Sequence, residues 1–211
     1  MSINLLLAAT MLLNFMLVGT SRVSKCIQLA AVQGALLGAV LLAAHGRWAL
    51  HIALMALSTV AIKGGVIPFF LARAQARMKP HPEPEPYVGY ATSLILGAAG
   101  TALAFLLGRR LPLEAGALGT LFVPASLATL FTGFLLLTLR RRALVQVVGY
   151  LVLENGVYLF SLLLVRNMPL LVETGVLLDL VVGIFVMGIV ISHIQEAFDT
   201  QDTHRLAHLK D

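Results

Sequence analysis

Residues 143–165 read ALVQVVGYLVLENGVYLFSLLLV, twenty-three consecutive positions with one acidic or basic side chain, Glu154. A hydrocarbon core about 30 Å thick takes roughly 20 such residues as a helix. The rest of the chain repeats the pattern. Apolar runs at 3–20, 24–44, 49–72, 88–108, 118–139 and 169–193 bring the expected transmembrane helices to seven, in an all-α polytopic fold. Of the 211 residues, 59% are hydrophobic and only 12% charged. A soluble domain of this length keeps too much of its chain at the boundary to hide that apolar share. The bilayer is the solvent.

The residue types also exclude functions. A single cysteine, Cys26, rules out a disulfide framework, a thiolate zinc site and an iron–sulfur or nickel–thiolate centre carried by this chain alone. The six histidines are scattered, and His204 and His208, four apart, lack a third ligand, so no metal site is expected. Tyr150, Tyr158 and Trp48 read as packing or interface-belt residues. No phosphate-cradling glycine loop or nucleophile–base set is present. The first 20 residues hold no Lys or Arg, so they are expected to remain as a membrane span and not to act as a cleaved signal.

The excess of 15 basic over 10 acidic residues fits loop charge and attraction to anionic lipid, with no nucleic-acid partner. Arg22, Lys25, Arg73, Arg77, Lys79, Arg140, Arg141, Arg142, Arg205 and Lys210 fall on one side of a seven-span chain. Arg47, Arg109, Arg110 and Arg166 fall on the other. The N-terminus is therefore expected outside and the C-terminus in the cytoplasm, in a plasma (inner) membrane protein. The stretch MKPHPEPEPY, 78–87, alternates proline with charge and reads as an extended cytoplasmic linker. It separates a three-helix unit, 1–77, from a four-helix unit, 88–193, which is followed by a polar cytoplasmic tail, 194–211.

Four charges lie inside spans: Lys63, Glu154, Glu173 and Asp179. Each costs at least about 2.5–3.5 kcal/mol at the bilayer centre, so each needs a reason. Glu154 and Asp179 sit near the middles of two successive spans joined by a short turn. Their carboxyl groups are expected within roughly 3–5 Å of the same depth, at 1.5 Å per residue. Two such acids cannot both stay ionised in low dielectric, which makes a proton-exchanging site. The alternative is that each acid merely bonds a neighbouring hydroxyl, amide or Arg. Gly175 and Gly183 flank Asp179 at four-residue spacing and favour close helix packing. Glu173 lies one turn from the outer end of its span, where a structural or gating role is as reasonable as transport.

Lys63 belongs to STVAIKGGVIPFF, 58–70. Pro68 cannot donate back to Gly64, and Gly64 with Gly65 loosens the turn, so a kink or break is expected beside the lysine. Broken helices are tolerated where they face protein or a wet cavity. Lys63 would then be a relay group or the counter-charge of a partner's acid; the alternative is snorkelling to the cytoplasmic edge.

The stretch FTGFLLLTLRRRALVQVVGYLVLENGVYLF, 131–160, followed by LLDLVVGIFVMGIVISHI, 177–194, resembles the K subunit of respiratory complex I and the C subunit of multi-subunit Na⁺/H⁺ antiporters. The shared features are a basic cluster opening the middle helix, a mid-helix Glu followed by Asn, and an acid followed four residues later by Gly. The K-subunit proton-path acids fall on Glu154 and on Asp179, which is Asp where that pattern has Glu. Over its whole length the chain is similar to the E subunit of hydrogenase-4-type, group 4 nickel–iron hydrogenase complexes. The resemblance implies a non-catalytic subunit, in a hetero-oligomer, between antiporter-like pumping subunits and the membrane anchor of a redox arm. Nickel–iron and iron–sulfur centres would belong to partners, and proton or cation movement would be coupled to redox chemistry. Two other classes stay open: a cation/proton antiporter subunit without redox partners, and a purely structural subunit. The first three helices could also be a diverged copy of the last three, with Gln33-Gly34 answering Asn155-Gly156 and Lys63 answering Asp179.

Overall fold

The computed structural model describes residues 3–45, 50–77, 87–111 and 121–164. Its elements there are helical: α1 (Ile3–Gly19), α2 (Val23–His45), α3 (Leu50–Thr59), a π-helical segment (Val60–Val66), α4 (Ile67–Arg77), α5 (Tyr90–Arg110), α6 (Phe122–Leu139) and α7 (Ala143–Leu164). α3, the π segment and α4 run on as one apolar rod, Ile52–Ala76. With α2, α5, α6 and α7 it makes five helices long and apolar enough to cross a bilayer; α1 is shorter, at 17 residues. The protein is a helical membrane protein. The seventh expected span, 169–193, the linker stretch 78–86 and the tail lie outside the described residues.

Short links set the helix directions. Residues 20–22 join α1 to α2, and 140–142 join α6 to α7. Such turns leave successive helices antiparallel. The α6–α7 turn is held by Val145 and Gln146 N–H donating to Arg142 O, 3.0 Å each, and by Gln146 Nε2 donating to Arg140 O at 2.9 Å. α6 and α7 then meet along a seam of glycines. A Cβ on Gly156 would come within 2.6 Å of the Leu130 backbone nitrogen, and one on Gly149 within 2.8 Å of Leu136 Cβ. Gly133 faces the Leu153 backbone in the same seam. Without side chains there, the backbones approach closely enough for dispersion contacts to hold them, which in lipid is a main source of helix association.

The same alternation continues around the bundle. Gln75 Nε2 donates to Ser24 Oγ at 2.8 Å, bringing the end of α4 to the start of α2. Tyr87 N–H donates to Leu139 O at 3.2 Å, bringing the start of α5 to the end of α6. Arg22, Lys25, Arg73, Arg140, Arg141 and Arg142 therefore share one end of the bundle, and Arg109 and Arg110 mark the other.

The interior has two apolar halves. Near the basic end Leu17, Val23, Ile27, Leu71, Leu136 and Val148 pack together with their neighbours. Toward the far end Leu7, Leu37, Ile52, Phe122, Leu159 and Leu162 do the same. Helices from both sides of the proline-rich stretch enter each cluster, so the two sequence units share one core. Between the clusters lies a polar layer.

Candidate functional site

The layer is built from mid-helix polar residues of five helices. Asn14 comes from α1, Gln33 from α2, Lys63 from the π segment, Thr129 from α6, and Glu154 with Asn155 from α7. All six are buried. Lys63 Nζ lies 3.1 Å from Glu154 Oε1, with both side chains 6% exposed. That oxygen accepts no aligned hydrogen bond among the described residues, so the contact is an ion pair held by charge. Lys63 also donates to Asn155 Oδ1 at 3.2 Å and sits over the Tyr158 ring, 5.2 Å from its centroid.

From Lys63 a chain of amides runs across the bundle. Asn155 Nδ2 donates to Gln33 Oε1 at 3.3 Å, and Gln33 Nε2 donates to Asn14 Oδ1 at 2.8 Å. Asn14 Nδ2 donates to Thr129 Oγ1 at 2.9 Å, and Thr129 Oγ1 donates to Ala125 O at 2.7 Å. The order has a physical cause. Ala125 O can only accept, so the Thr129 hydroxyl must donate to it and accept from Asn14. That choice fixes the face of each amide in turn. The last one presents an oxygen to Lys63, which suits an ammonium.

The π segment places the lysine. Pro68 has no N–H to give to Gly64 O, four residues back, or to Lys63 O, five back. The preceding turn widens instead, with Ile67 N–H bonded to Ile62 O. A π-bulge of this kind rotates the residues that precede it and recurs at functional sites. Gly34 admits the lysine: a Cβ there would lie 2.7 Å from Lys63 Cβ and 2.9 Å from Lys63 O. Gly64 packs on α2 as well, where a Cβ would come 3.3 Å from Ala35 Cβ, whereas a Cβ on Gly65 would point into open space. The two glycines differ in role: Gly64 allows contact, and a Cβ on Gly65 would meet nothing within 4 Å.

The structure thus brings Lys63 and Glu154 together, and the acid that balances the lysine is on the same chain, not on a neighbouring subunit. Asp179, Glu173, Gly175 and Gly183 lie outside the described residues, and with them the proposed pairing of Glu154 with Asp179. Asn14 and Thr129 were not singled out from sequence, although one polar residue in mid-span is the available signal. Arg140 was counted only as loop charge. It is buried, donates through Nη2 to Val18 O, stacks 4.4 Å from the Tyr90 ring and leaves Nη1 without a hydrogen-bond partner among the described residues. Burial lowers its pKa from the ordinary guanidinium value, with Tyr90 and Cys26 opposing, yet it stays a cation. Among the described residues no group of three His, Cys, Asp or Glu side chains could hold a metal.

Over 157 residues the chain is 32% identical to the uncharacterized protein Rv0085 of Mycobacterium tuberculosis, covering 74% of this chain and 71% of that one. The two chains belong to one family. Over 101 residues the chain is also 33% identical to hydrogenase-4 component E of Escherichia coli K12, and equally to that of Shigella flexneri. That match spans 48% of this chain and 46% of theirs. No protein-family model and no solved structure matches the chain.

Proposed function

We propose that the chain is a non-catalytic membrane subunit of a complex I-like, hydrogenase-4-type complex, and that its intramembrane ionisable groups carry protons coupled to redox chemistry. The observation that carries this reading is the Lys63–Glu154 pair, buried between two apolar clusters on a broken helix. Intramembrane charges cost several kcal/mol unless paired and are kept chiefly for ion or proton paths. A pair can exchange a proton internally: the charged form is Lys⁺/Glu⁻, the neutral form Lys⁰/GluH, and the balance shifts with any nearby charge. Asp179 is the further acid in the proposed relay, taking the proton onward to an antiporter-like neighbour, with Glu173 as a gating or structural group. The similarity to hydrogenase-4 component E supports partners of that kind: antiporter-like membrane subunits and the membrane anchor of a redox arm. Nickel–iron and iron–sulfur centres then reside in those partners. The basic end of the bundle faces the cytoplasm and anionic lipid, in seven spans with the N-terminus outside.

The test is proton translocation by the assembled complex in sealed vesicles. Glu154→Gln keeps shape but not titration, and lowers translocation while the complex still assembles. Asp179→Asn does the same, the double variant is less than additive, and Lys63→Ala is intermediate. Full translocation by an assembled Glu154→Gln, Asp179→Asn double variant overturns the relay and leaves the pair structural. Nickel and iron co-purifying with the chain favour the hydrogenase assembly; their absence favours a redox-free antiporter.

A further inference from the structure

We propose that water reaches the Lys63–Glu154 pair from the basic end of the bundle only, through a cleft that Pro68 opens between α2, α4 and α7. Lys63 and Asn155 are the polar part of its lining, and Ile27, Pro68, Leu71 and Leu151 are among its apolar walls. About 10 Å³ of it is open to the centre of a water-sized molecule, enough for one water, and it has two polar partners to offer. Ile27 lies one turn from the start of α2, Leu71 less than two turns from the end of α4, and Leu151 about two turns from the start of α7. All three walls therefore run from the lysine toward the end that carries Arg22, Lys25 and Arg140.

Among the described residues the opposite direction is closed. Gly38 meets Val60, the Tyr158 ring lies over the ammonium, and Leu37, Ala56 and Leu159 are buried in the far cluster. The amide chain offers no sideways route either. A primary amide neither gains nor loses a proton readily, so Asn155, Gln33 and Asn14 orient charge without relaying it. A proton that leaves or joins the pair on this side of the layer therefore travels by water, and the cleft is where water fits. The proline supplies the space. With no N–H to bond back, it holds the π turn open, and its ring and Ile67 wall the gap instead of filling it.

The inference deepens the proton-carrying reading but is tested apart from it. In the assembled complex in membranes, brief radiolysis of water oxidises side chains beside bound water. Ile27, Leu71 and Leu151, all buried, are expected to be oxidised about tenfold faster than Leu7, Leu37 and Leu159, which are buried in the far cluster. Equal rates in the two sets overturn the cleft. Sidedness is read with Leu71→Cys in a Cys26→Ser background, using silver ion, which is small enough for a water-sized path. Reaction faster from the face bearing the basic end is expected; equal or faster reaction from the other face overturns the proposal. If Leu71→Cys does not accumulate, Ala30→Cys, in the same wall, replaces it. Selective oxidation with unchanged pumping in Glu154→Gln removes the proton-carrying reading and keeps the cleft. Loss of pumping in Glu154→Gln without selective oxidation removes the cleft alone.

Discussion

The two halves of the ion pair stand on helices built in opposite ways. Glu154 belongs to α7, whose apolar stretch is 67% buried and locked to α6 by glycines that touch backbone. Lys63 belongs to the rod Ile52–Ala76, only 28% buried, with a π segment in its middle and Leu54, Leu57 and Phe69 facing outward. One helix is a fixed post and the other a loosened arm. A charge pair between them has one partner whose position is set by packing and one whose position depends on a weakened backbone. The proposed proton exchange needs small movements at one side of such a pair, and the less buried arm is the side with fewer contacts to oppose them.

The contrast is broken most severely by removing one charge. Lys63→Met or Glu154→Leu leaves a buried charge uncompensated, and each is expected to destabilise the chain by about 3–5 kcal/mol. Joining the two substitutions is expected to restore most of that stability without restoring the proposed proton translocation. Thermal unfolding in mild detergent, run as a double-mutant cycle, measures the coupling. Additive losses would show that the two side chains do not act as a pair.

Filling the glycine seam tests the post. Gly156→Val or Gly133→Val forces α6 and α7 apart and is expected to cost about 1–3 kcal/mol or more, as overpacking does. The mirror experiment on the arm, Gly65→Ala, meets nothing and is expected to change stability by less than about 1 kcal/mol, toward greater stability. Comparable losses at both sites, in the same unfolding assay, would erase the distinction between post and arm.

Cutting the amide chain costs about as much as filling the seam when the cut is at its centre, and less at its end. Gln33→Leu strands the Asn14 carbonyl and the Asn155 amide nitrogen, costing about 1–3 kcal/mol. Thr129→Val, at the end of the chain, is expected to cost about 1 kcal/mol and to free the amide faces to turn over. Vibrational spectra of the amide side chains in isotope-labelled protein would register that loss of order. An unchanged spectrum in Thr129→Val would mean that the hydroxyl does not set the direction of the chain.

Much of the fold is legible in the apolar runs, because in lipid each backbone must satisfy its own hydrogen bonds and only helices do so within one segment. Lys63 and Glu154 were legible as sites for a related reason: an isolated charge in a 20-residue apolar run is too costly to be incidental. Asn14 and Thr129 were harder to see. Neutral polar residues cost far less in a span, and many only bond their own helix, as Thr10 does to Leu6 O at 3.0 Å. Nothing local distinguishes Thr129, which closes a chain across the bundle, from Thr10.

The sequence by itself determined that the chain is a helical membrane protein, which residues break its third span, and which charges need explaining. These follow from composition, from proline chemistry and from the cost of charge in hydrocarbon, all properties of single segments. Only the tertiary structure decided that Glu154 answers Lys63, that the amides from Asn155 to Asn14 all point one way, and that Arg140, read as loop charge, is enclosed against α1. Each of those depends on residues about 90 to 120 positions apart meeting at one depth. Contact across helices is set by how glycine seams and turns rotate one helix on another, and no single span carries that information.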